Sequence, residues 1–378
     1  MKNAVIILPT YNERENVSTL IPKIFEVAKD IDNWKVSILV VDDESPDNTY
    51  DAVAEMQKKY KNLVLIRGKK EGLGKAYYRG FNYAIENLNP FVMFEMDADW
   101  SHDPELIPSF LKEIELGADF VIGSRYIKGG SIPSEWAWHR KLFSVLGNII
   151  IKFGFMNLRL NDWTSGYRCI KTWFIKEVIE DMTGYTGYVW QIALLDRAKK
   201  MGLTIKEVPL KFIDRALGKS KINSVQYITN TLLYVLFNSS FIKFGIVGGI
   251  GFIIDFGLLY FLKNTNKLAI GVNQIFSAEA AIISNFILNN YWSFSYKKIE
   301  NTFSAYLKSF LNFNFVSLGS LIIQSVLLQI ATMTLYNGTF NFYDKEVGAW
   351  AIYKVLILFF IIIPYSYYMY NYVIWKKK

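Results

Sequence analysis

Near Lys221 the chain changes character, and no single globular architecture accommodates both sides of the change. Before it, charged residues recur regularly and apolar runs stay short. After it, apolar and aromatic segments dominate and acids become scarce. Four of these segments, at residues 241–262, 270–292, 310–335 and 349–374, are as long as a helix that crosses ~30 Å of hydrocarbon needs to be. The 378 residues therefore divide into a soluble domain over 1–220, an amphipathic helix over 221–240 and an all-α, four-helix transmembrane domain over 241–378. In the middle piece Ile222, Val225, Ile228, Leu232, Leu233 and Leu236 recur at near-helical spacing, as in a helix lying on a membrane surface.

The formal charge of +8 belongs to this arrangement. Basic residues beside apolar spans answer to anionic lipid and the positive-inside rule rather than to nucleic acid. Lys297, Lys298, Lys308 and Lys376-Lys377-Lys378 fall on one side, and Lys263, Lys267 and Lys345 on the other, which favours both termini in the cytoplasm. Tyr291, Trp292, Trp350 and Trp375 read as interface anchors. Asp255 lies inside the first span, where a charge must face the bundle or a partner. Gly245, Gly248, Gly249, Gly251 and Gly257 there would let helices approach closely. The lone Cys169 excludes an intrachain disulfide and argues against a thiolate metal site. The first apolar run, 4–8, is too short for a leader and stops at Pro9, so it reads as a strand, with its domain in the cytoplasm.

Within the soluble part, strand-like runs at 4–8, 37–41, 63–67, 91–96 and 120–123 alternate with amphipathic stretches at 16–28, 48–60, 74–87 and 104–116. The early strands are continuously apolar, as parallel strands covered on both faces are. The expectation is an α/β fold with a mostly parallel central sheet. Asp47-Asn48 and Asp103-Pro104 look like helix starts, Asp103 as N-cap and Pro104 at the first helical position. The turn Glu71-Gly72-Leu73-Gly74-Lys75 leads into a helix but matches neither a Walker motif nor a dinucleotide fingerprint.

The chemistry gathers at strand ends. The run 91–96 stops at Asp97 and Asp99, whose i, i+2 spacing puts both carboxylates on one face of extended backbone. Two hard oxygen ligands at the carboxyl end of a buried strand suit a divalent cation, and such a cation suits a diphosphate. Pro9-Thr10-Tyr11-Asn12-Glu13 follows the first strand, and Asp42-Asp43 closes the second.

These segments, with Gly123-Ser124-Arg125-Tyr126, His139-Arg140-Lys141-Leu142, Asp162-Trp163-Thr164-Ser165-Gly166-Tyr167-Arg168, Gly187-Tyr188 and Arg215-Ala216-Leu217-Gly218-Lys219-Ser220-Lys221, resemble family-2 glycosyltransferases of the GT-A fold. Within them the likeness is to dolichol-phosphate mannose synthases. Lys243 to Gly251 and Asn289-Asn290-Tyr291-Trp292-Ser293-Phe294 resemble the GtrA-like membrane family, which is proposed to assist or flip polyprenyl-linked sugars.

The resemblance implies roles. Pro9, Tyr11 and Glu13 frame the donor nucleoside, with Asp42 on its base or ribose. Asp97 and Asp99, with Ala98 between them, hold Mg²⁺ or Mn²⁺ against the donor diphosphate. Ser101 stands where some relatives have Gln, so its hydroxyl or a water would be the third metal ligand. Arg125, Arg140, Arg215 and Lys221 surround the donor and acceptor phosphates, which suits guanidinium forks. Ala193 stands where many relatives carry Glu, and Trp100 and Trp163 replace smaller residues, leaving the donor sugar's identity open.

The implied reaction is inverting transfer of mannose from GDP-mannose to a dolichyl or polyprenyl phosphate at the cytoplasmic membrane face. A lipid phosphate is already anionic, so no general base is required, and His102 and His139 have no evident triad partner. One rival reading keeps the reaction with UDP-glucose or another UDP-sugar as donor. Another is a transporter whose soluble domain binds a nucleotide sugar as regulator. A processive polysaccharide synthase is disfavoured by the lack of a Gln-x-x-Arg-Trp-type motif.

Overall fold

Strand β1 (Lys2–Thr10) is buried on both faces from Ala4 to Leu8, which is why its sequence is an unbroken apolar run. The computed structural model describes residues 1–185, 187–214, 224–265, 268–336, 338–342 and 345–376. Helix α1 (Arg14–Ala28) turns Val17, Leu20, Ile21 and Ile24 inward at helical spacing. Strand β2 (Trp34–Asp42) pairs parallel with β1, in a register that sets Thr10 opposite Asp42. Helix α2 (Thr49–Gln57) leads to β3 (Leu63–Arg67), and α3 (Leu73–Asn87) to β4 (Val92–Glu95). Helix α4 (Ile107–Glu115) continues a short 3₁₀ turn at Pro104–Leu106. Asp103 caps that turn, its carboxylate accepting from the Glu105 N–H at 3.0 Å. At α2 the expected start differs in detail. Asn48 takes a left-handed φ of 63°, and it is the Asp47 carboxylate that accepts from the Thr49 N–H and hydroxyl.

Strand β5 (Phe120–Ser124), helix α5 (Trp138–Gly154), strand β6 (Arg168–Lys171), helices α6 (Thr172–Val178) and α7 (Gly187–Met201) and strand β7 (Ile205–Pro209) complete the layer. The sheet order is β3-β2-β1-β4-β6-β5-β7, and only β6 runs antiparallel to its neighbours. The chain winds outward from β1 through β2 to β3, then returns to place β4 on the other side of β1. Ligands of open α/β sheets bind outside the carboxyl ends of the strands at such a reversal.

By compactness the chain forms two units, residues 1–153 with 157–235, and residues 154–156 with 236–378. Helix α8 (Ser224–Asn238) spans the change. The second unit contains α9 (Ser240–Thr265), α10 (Ile270–Leu288), α11 (Phe303–Thr334), a small hairpin of β8 (Thr339–Phe342) and β9 (Lys345–Gly348), α12 (Ala349–Ile357) and α13 (Ile363–Val373). α10 runs on through a π turn to Ser293, and α12 and α13 join through another. Among the described residues, four helical stretches are long and apolar enough to cross a membrane.

Asp255 faces the bundle as expected, accepting from Gln274 Nε2 at 3.1 Å and Ser277 Oγ at 2.5 Å on α10. Of the five glycines in α9, only Gly251 meets a neighbour. A Cβ there would clash with Asn285. Trp375 departs from its expected place as an interface anchor. It is buried, stacked on Phe294 with ring centroids 4.5 Å apart, and donates its indole N–H to Asn290 Oδ1 at 3.1 Å. A Trp near a span end packs inward when a polar partner there satisfies its N–H.

Candidate active site

Asp42 ends β2 fully buried, and its carboxylate organises the neighbouring turn. Oδ1 accepts from Thr10 Oγ1 at 3.0 Å and Ser45 Oγ at 2.6 Å, and Oδ2 accepts from the Ser45 N–H at 3.0 Å. The segment after β1 is stitched to the same loop: Asn12 N–H donates to Ser45, Glu13 N–H to Thr49 and Arg14 N–H to Asp47. Glu13 in turn accepts from Asn16 at 2.7 Å. The segments after β1 and β2, which carry Tyr11, Glu13 and Asp42, are thus held together, and the Lys70 ammonium lies 3.4 Å over the Tyr11 ring. Beside them Asp43 pairs with Arg79. Burial pushes Asp43 up to about 6 against the pull of Arg79, with neighbouring Asp42 adding to the rise.

The other carboxylates follow β4. Asp97 is about one-third exposed, whereas Ala98 and Asp99 are buried. Trp100 adopts a left-handed φ of 66°, a conformation that costs a bulky residue about 1–3 kcal/mol. That turn brings Ser101 back onto Asp99, whose Oδ1 accepts from the Ser101 N–H at 3.1 Å and Oγ at 2.6 Å. Trp100 itself donates to Thr19 at 3.1 Å. His102 is buried, stacked on Tyr167, and its Nδ1 accepts from the Asp97 N–H at 2.9 Å. The ring thereby holds the loop through Nδ1.

Among the described residues no group of three or more His, Cys, Asp or Glu could hold a metal unaided. Two carboxylates with an adjacent hydroxyl still fit Mg²⁺ or Mn²⁺, since Mg²⁺ characteristically keeps waters and substrate phosphates as its other ligands. Asp97, Asp99 and Ser101 are the residues available for that purpose.

The expected phosphate-binding cations lie in different settings. Arg125 makes a near-buried fork to Asp162, Nε at 2.7 Å and Nη2 at 2.8 Å, and its Nη2 also reaches Thr164. Burial alone would raise the Asp162 carboxyl, but the Arg125 charge and hydrogen bonds outweigh it and hold it below the ordinary range. Arg140 is exposed on α5, 3.8 Å over the Trp136 ring and paired with Asp214 at 3.1 Å. Arg215 and Lys221, with the stretch that carries them, lie outside the described residues.

Sequence reasoning missed a buried polar layer beneath Asp97. Glu95 and Arg168 face each other across β4 and β6, 3.8 Å apart and without exposure. Trp190 on α7 donates to Glu95 at 2.8 Å. Burial pushes Glu95 up to about 7, against Arg168, the Trp190 indole and the nearby Gln191 amide. The Tyr77 hydroxyl and both amide atoms of Gln191 are buried there with no well-aligned hydrogen-bond partner. A buried polar atom left in that state costs about 1–3 kcal/mol. These residues come from α3, β4, β6 and α7, so although Arg168 closes the Asp162–Arg168 motif, no local pattern announces the layer that they form.

Helix α5 was also missed. Its inner face is polar: Ser144 bonds Tyr126, while Asn148 bonds Thr164 and the Trp163 N–H. Its outer face exposes Trp138, Leu142, Phe143, Val145, Leu146, Ile149, Ile150 and Phe153. The helix is amphipathic with its apolar side outward, and its recurrence at helical spacing was readable in the sequence.

Comparison with known proteins agrees with this architecture. The family described as glycosyl transferase family 2 matches residues 5–183, and that described as GtrA/DPMS, transmembrane domain matches residues 243–375. A dolichol-phosphate mannosyltransferase of Pyrococcus furiosus is 33% identical over 311 residues, covering 80% of this chain and 84% of that protein. A polyprenol monophosphomannose synthase of Mycolicibacterium smegmatis is 36% identical over 224 residues, covering 59% of this chain and 82% of that protein. Among solved structures, glucosyl-3-phosphoglycerate synthase from Mycobacterium tuberculosis, in complex with Mn²⁺, UDP and phosphoglyceric acid, superposes with a TM-score of 0.47. It shares 14% identity and covers 62% of this chain and 77% of that one.

Proposed function

The chain belongs to glycosyl transferase family 2, with a GtrA/DPMS transmembrane domain following its catalytic domain, and from that premise we propose that it transfers mannose from GDP-mannose to a polyprenyl phosphate of the dolichyl type. The observation that carries the reading is that β2, β1 and β4 are parallel neighbours at the sheet's reversal point, so that Asp42 and the Asp97–Asp99 turn both follow carboxyl ends on the same edge of the sheet. The names of the two relatives support the lipid phosphate acceptor and the mannose. The proposed site has Pro9, Tyr11, Glu13 and Asp42 at the nucleoside, and Asp97, Ala98, Asp99 and Ser101 at the diphosphate.

An oxygen of the lipid phosphate attacks the anomeric carbon as the bond to the diphosphate breaks, and the nucleoside diphosphate leaves with the electron pair. Attack from the face opposite the leaving group inverts the centre. The nucleophile needs no proton removed, which accords with a site whose histidine is engaged in holding its loop. A divalent cation bound by Asp97 and Asp99 would stabilise charge on the departing diphosphate. Arg140, Arg215 and Lys221 are assigned to the two phosphates. Arg125 acts through Asp162, fixing the loop that carries Thr164 to Gly166.

The acceptor is membrane-borne, and α5 presents the surface for it. Trp138, Leu142, Leu146, Ile150 and Phe153 would insert at the headgroup boundary, with Lys141 and Lys152 reaching the phosphates around them. The catalytic domain and both termini are assigned to the cytoplasmic face of the cell membrane. The domain limits 1–220, 221–240 and 241–378 remain part of the proposal.

The test offers purified protein a polyprenyl phosphate, Mg²⁺ or Mn²⁺, and radiolabelled GDP-mannose or UDP-glucose. Label extracted into organic solvent from GDP-mannose alone, abolished by EDTA and restored by either metal, is the expected outcome. Label from UDP-glucose alone overturns the donor, and full turnover in chelator overturns the metal.

A further inference from the structure

Gly166 forms the floor of a small cradle. A Cβ built there would lie 3.5 Å from His102 Cε1, 3.8 Å from Gln191 Nε2 and 4.0 Å from Asp97 Oδ2. An imidazole and a carboxylate from the loop after β4 and an amide from α7 therefore converge over one glycine. Gln191 is 1% exposed, and its amide lies beside the Glu95 carboxylate without completing a well-aligned hydrogen bond. Its backbone is not loose, since its carbonyl accepts from Arg168 Nη1 at 2.7 Å.

The chemistry of the three groups selects what fits. Because His102 Nδ1 accepts from the Asp97 N–H, the neutral ring carries its proton on Nε2, 3.9 Å from Asp97 Oδ2. The cradle thus offers a donor, an acceptor and an amide that is both. The imidazole N–H opposes a cation at that point, and the Asp97 carboxylate opposes a phosphate. A neutral hydroxyl, which donates and accepts at once, matches all three.

We propose that the Gly166 cradle binds a hydroxyl of the transferred sugar, with the Gln191 amide as a sugar-recognition group. This rests on the nucleotide-sugar reading above and extends it to the hexose. It also gives the buried amide, which already lies beside Glu95, a well-aligned partner when the donor is bound. A site that hydrogen-bonds a substrate hydroxyl rejects analogues lacking or misplacing it far more sharply than an apolar pocket does. Gln191 would therefore act on the choice between donor sugars rather than on the nucleotide.

Calorimetry on the full-length protein in detergent, with GDP and GDP-mannose compared, separates these effects. Gln191→Leu should leave GDP affinity unchanged while lowering GDP-mannose affinity about tenfold, the value of one lost hydrogen bond. Discrimination between GDP-mannose and GDP-glucose in kcat/KM should narrow in the same variant. Gly166→Ala provides an independent check. The added methyl makes only ordinary contacts with the protein, so it should fold normally yet weaken GDP-mannose alone. Equal loss for GDP and GDP-mannose, or loss for neither, would overturn the proposal and leave Gln191 as support for Glu95. If the unaltered protein binds UDP-glucose and not GDP-mannose, the donor assignment fails instead. The same comparison with UDP and UDP-glucose then decides the cradle.

Discussion

At the scale of single residues, the legible part of the site was the part contiguous in sequence. Asp97, Asp99 and Ser101 lie within one turn, and Asp42 ends a strand whose apolar run is plain. Gln191, Tyr77 and the pairing of Arg168 with Glu95 were illegible because they depend on which elements become neighbours. Arg125 illustrates the intermediate case. Its residue type suggested phosphate, but the structure gives its fork to Asp162. Removing one partner of a buried ion pair strands the other, so Asp162→Ala should destabilise the catalytic domain by about 3–5 kcal/mol, read as a lowered thermal midpoint in detergent. The pH dependence has a definite sign. Since the folded-state pKa of Asp162 is depressed, its stabilisation is present above the ordinary carboxylate value near ~4 and disappears as acid protonates the folded form. Asp162→Asn should accordingly flatten the acid limb of the stability profile, and an unchanged limb would mean that other carboxylates set it.

At the scale of elements, periodicity found the early βα units and the spans but lost the strands that bend the rules. β3 fell where expected, at Leu63–Arg67. β6 is only four residues, begins at Arg168, ends at Lys171 and runs antiparallel, so nothing local marks it as a central strand. Helix α5 was passed over although its apolar residues recur at helical spacing, and that its apolar stripe faces outward shows only once the polar inner face is seen. Full insertion of one aliphatic side chain is worth about 1.5–3 kcal/mol. Replacing Leu146 and Ile150 together by Glu should thus slow transfer to polyprenyl phosphate in bilayer nanodiscs at least about tenfold. Nucleotide affinity should be unaffected, since neither side chain reaches Asp42 or Asp97. Equal rates for variant and parent would remove α5 from the lipid contact.

At the scale of the molecule, the two units are stabilised by different means. The first has a continuous sheet core from Ala4 to Leu210, whereas the second has a small aromatic cluster around Phe294, Tyr370 and Trp375, with Asn290 as its polar hub. The carboxylates and the cradle all lie in the first unit, so donor binding should not depend on the spans. A chain ending at Asn238 retains every described residue of the proposed donor site. It also retains Tyr234, whose hydroxyl donates to buried Asp196 at 3.0 Å and ties α8 to α7, the helix that carries Gln191. Cutting before Tyr234 would leave Asp196 with Lys200 as its remaining side-chain partner. The longer truncation should therefore bind GDP as the full chain does while losing transfer to bilayer-borne acceptor, and it should need detergent because α5 still exposes its apolar face. A folded truncation that no longer binds nucleotide would show that residues beyond Asn238 help to build the donor site. The membrane domain would then be a part of the catalytic machinery rather than its anchor.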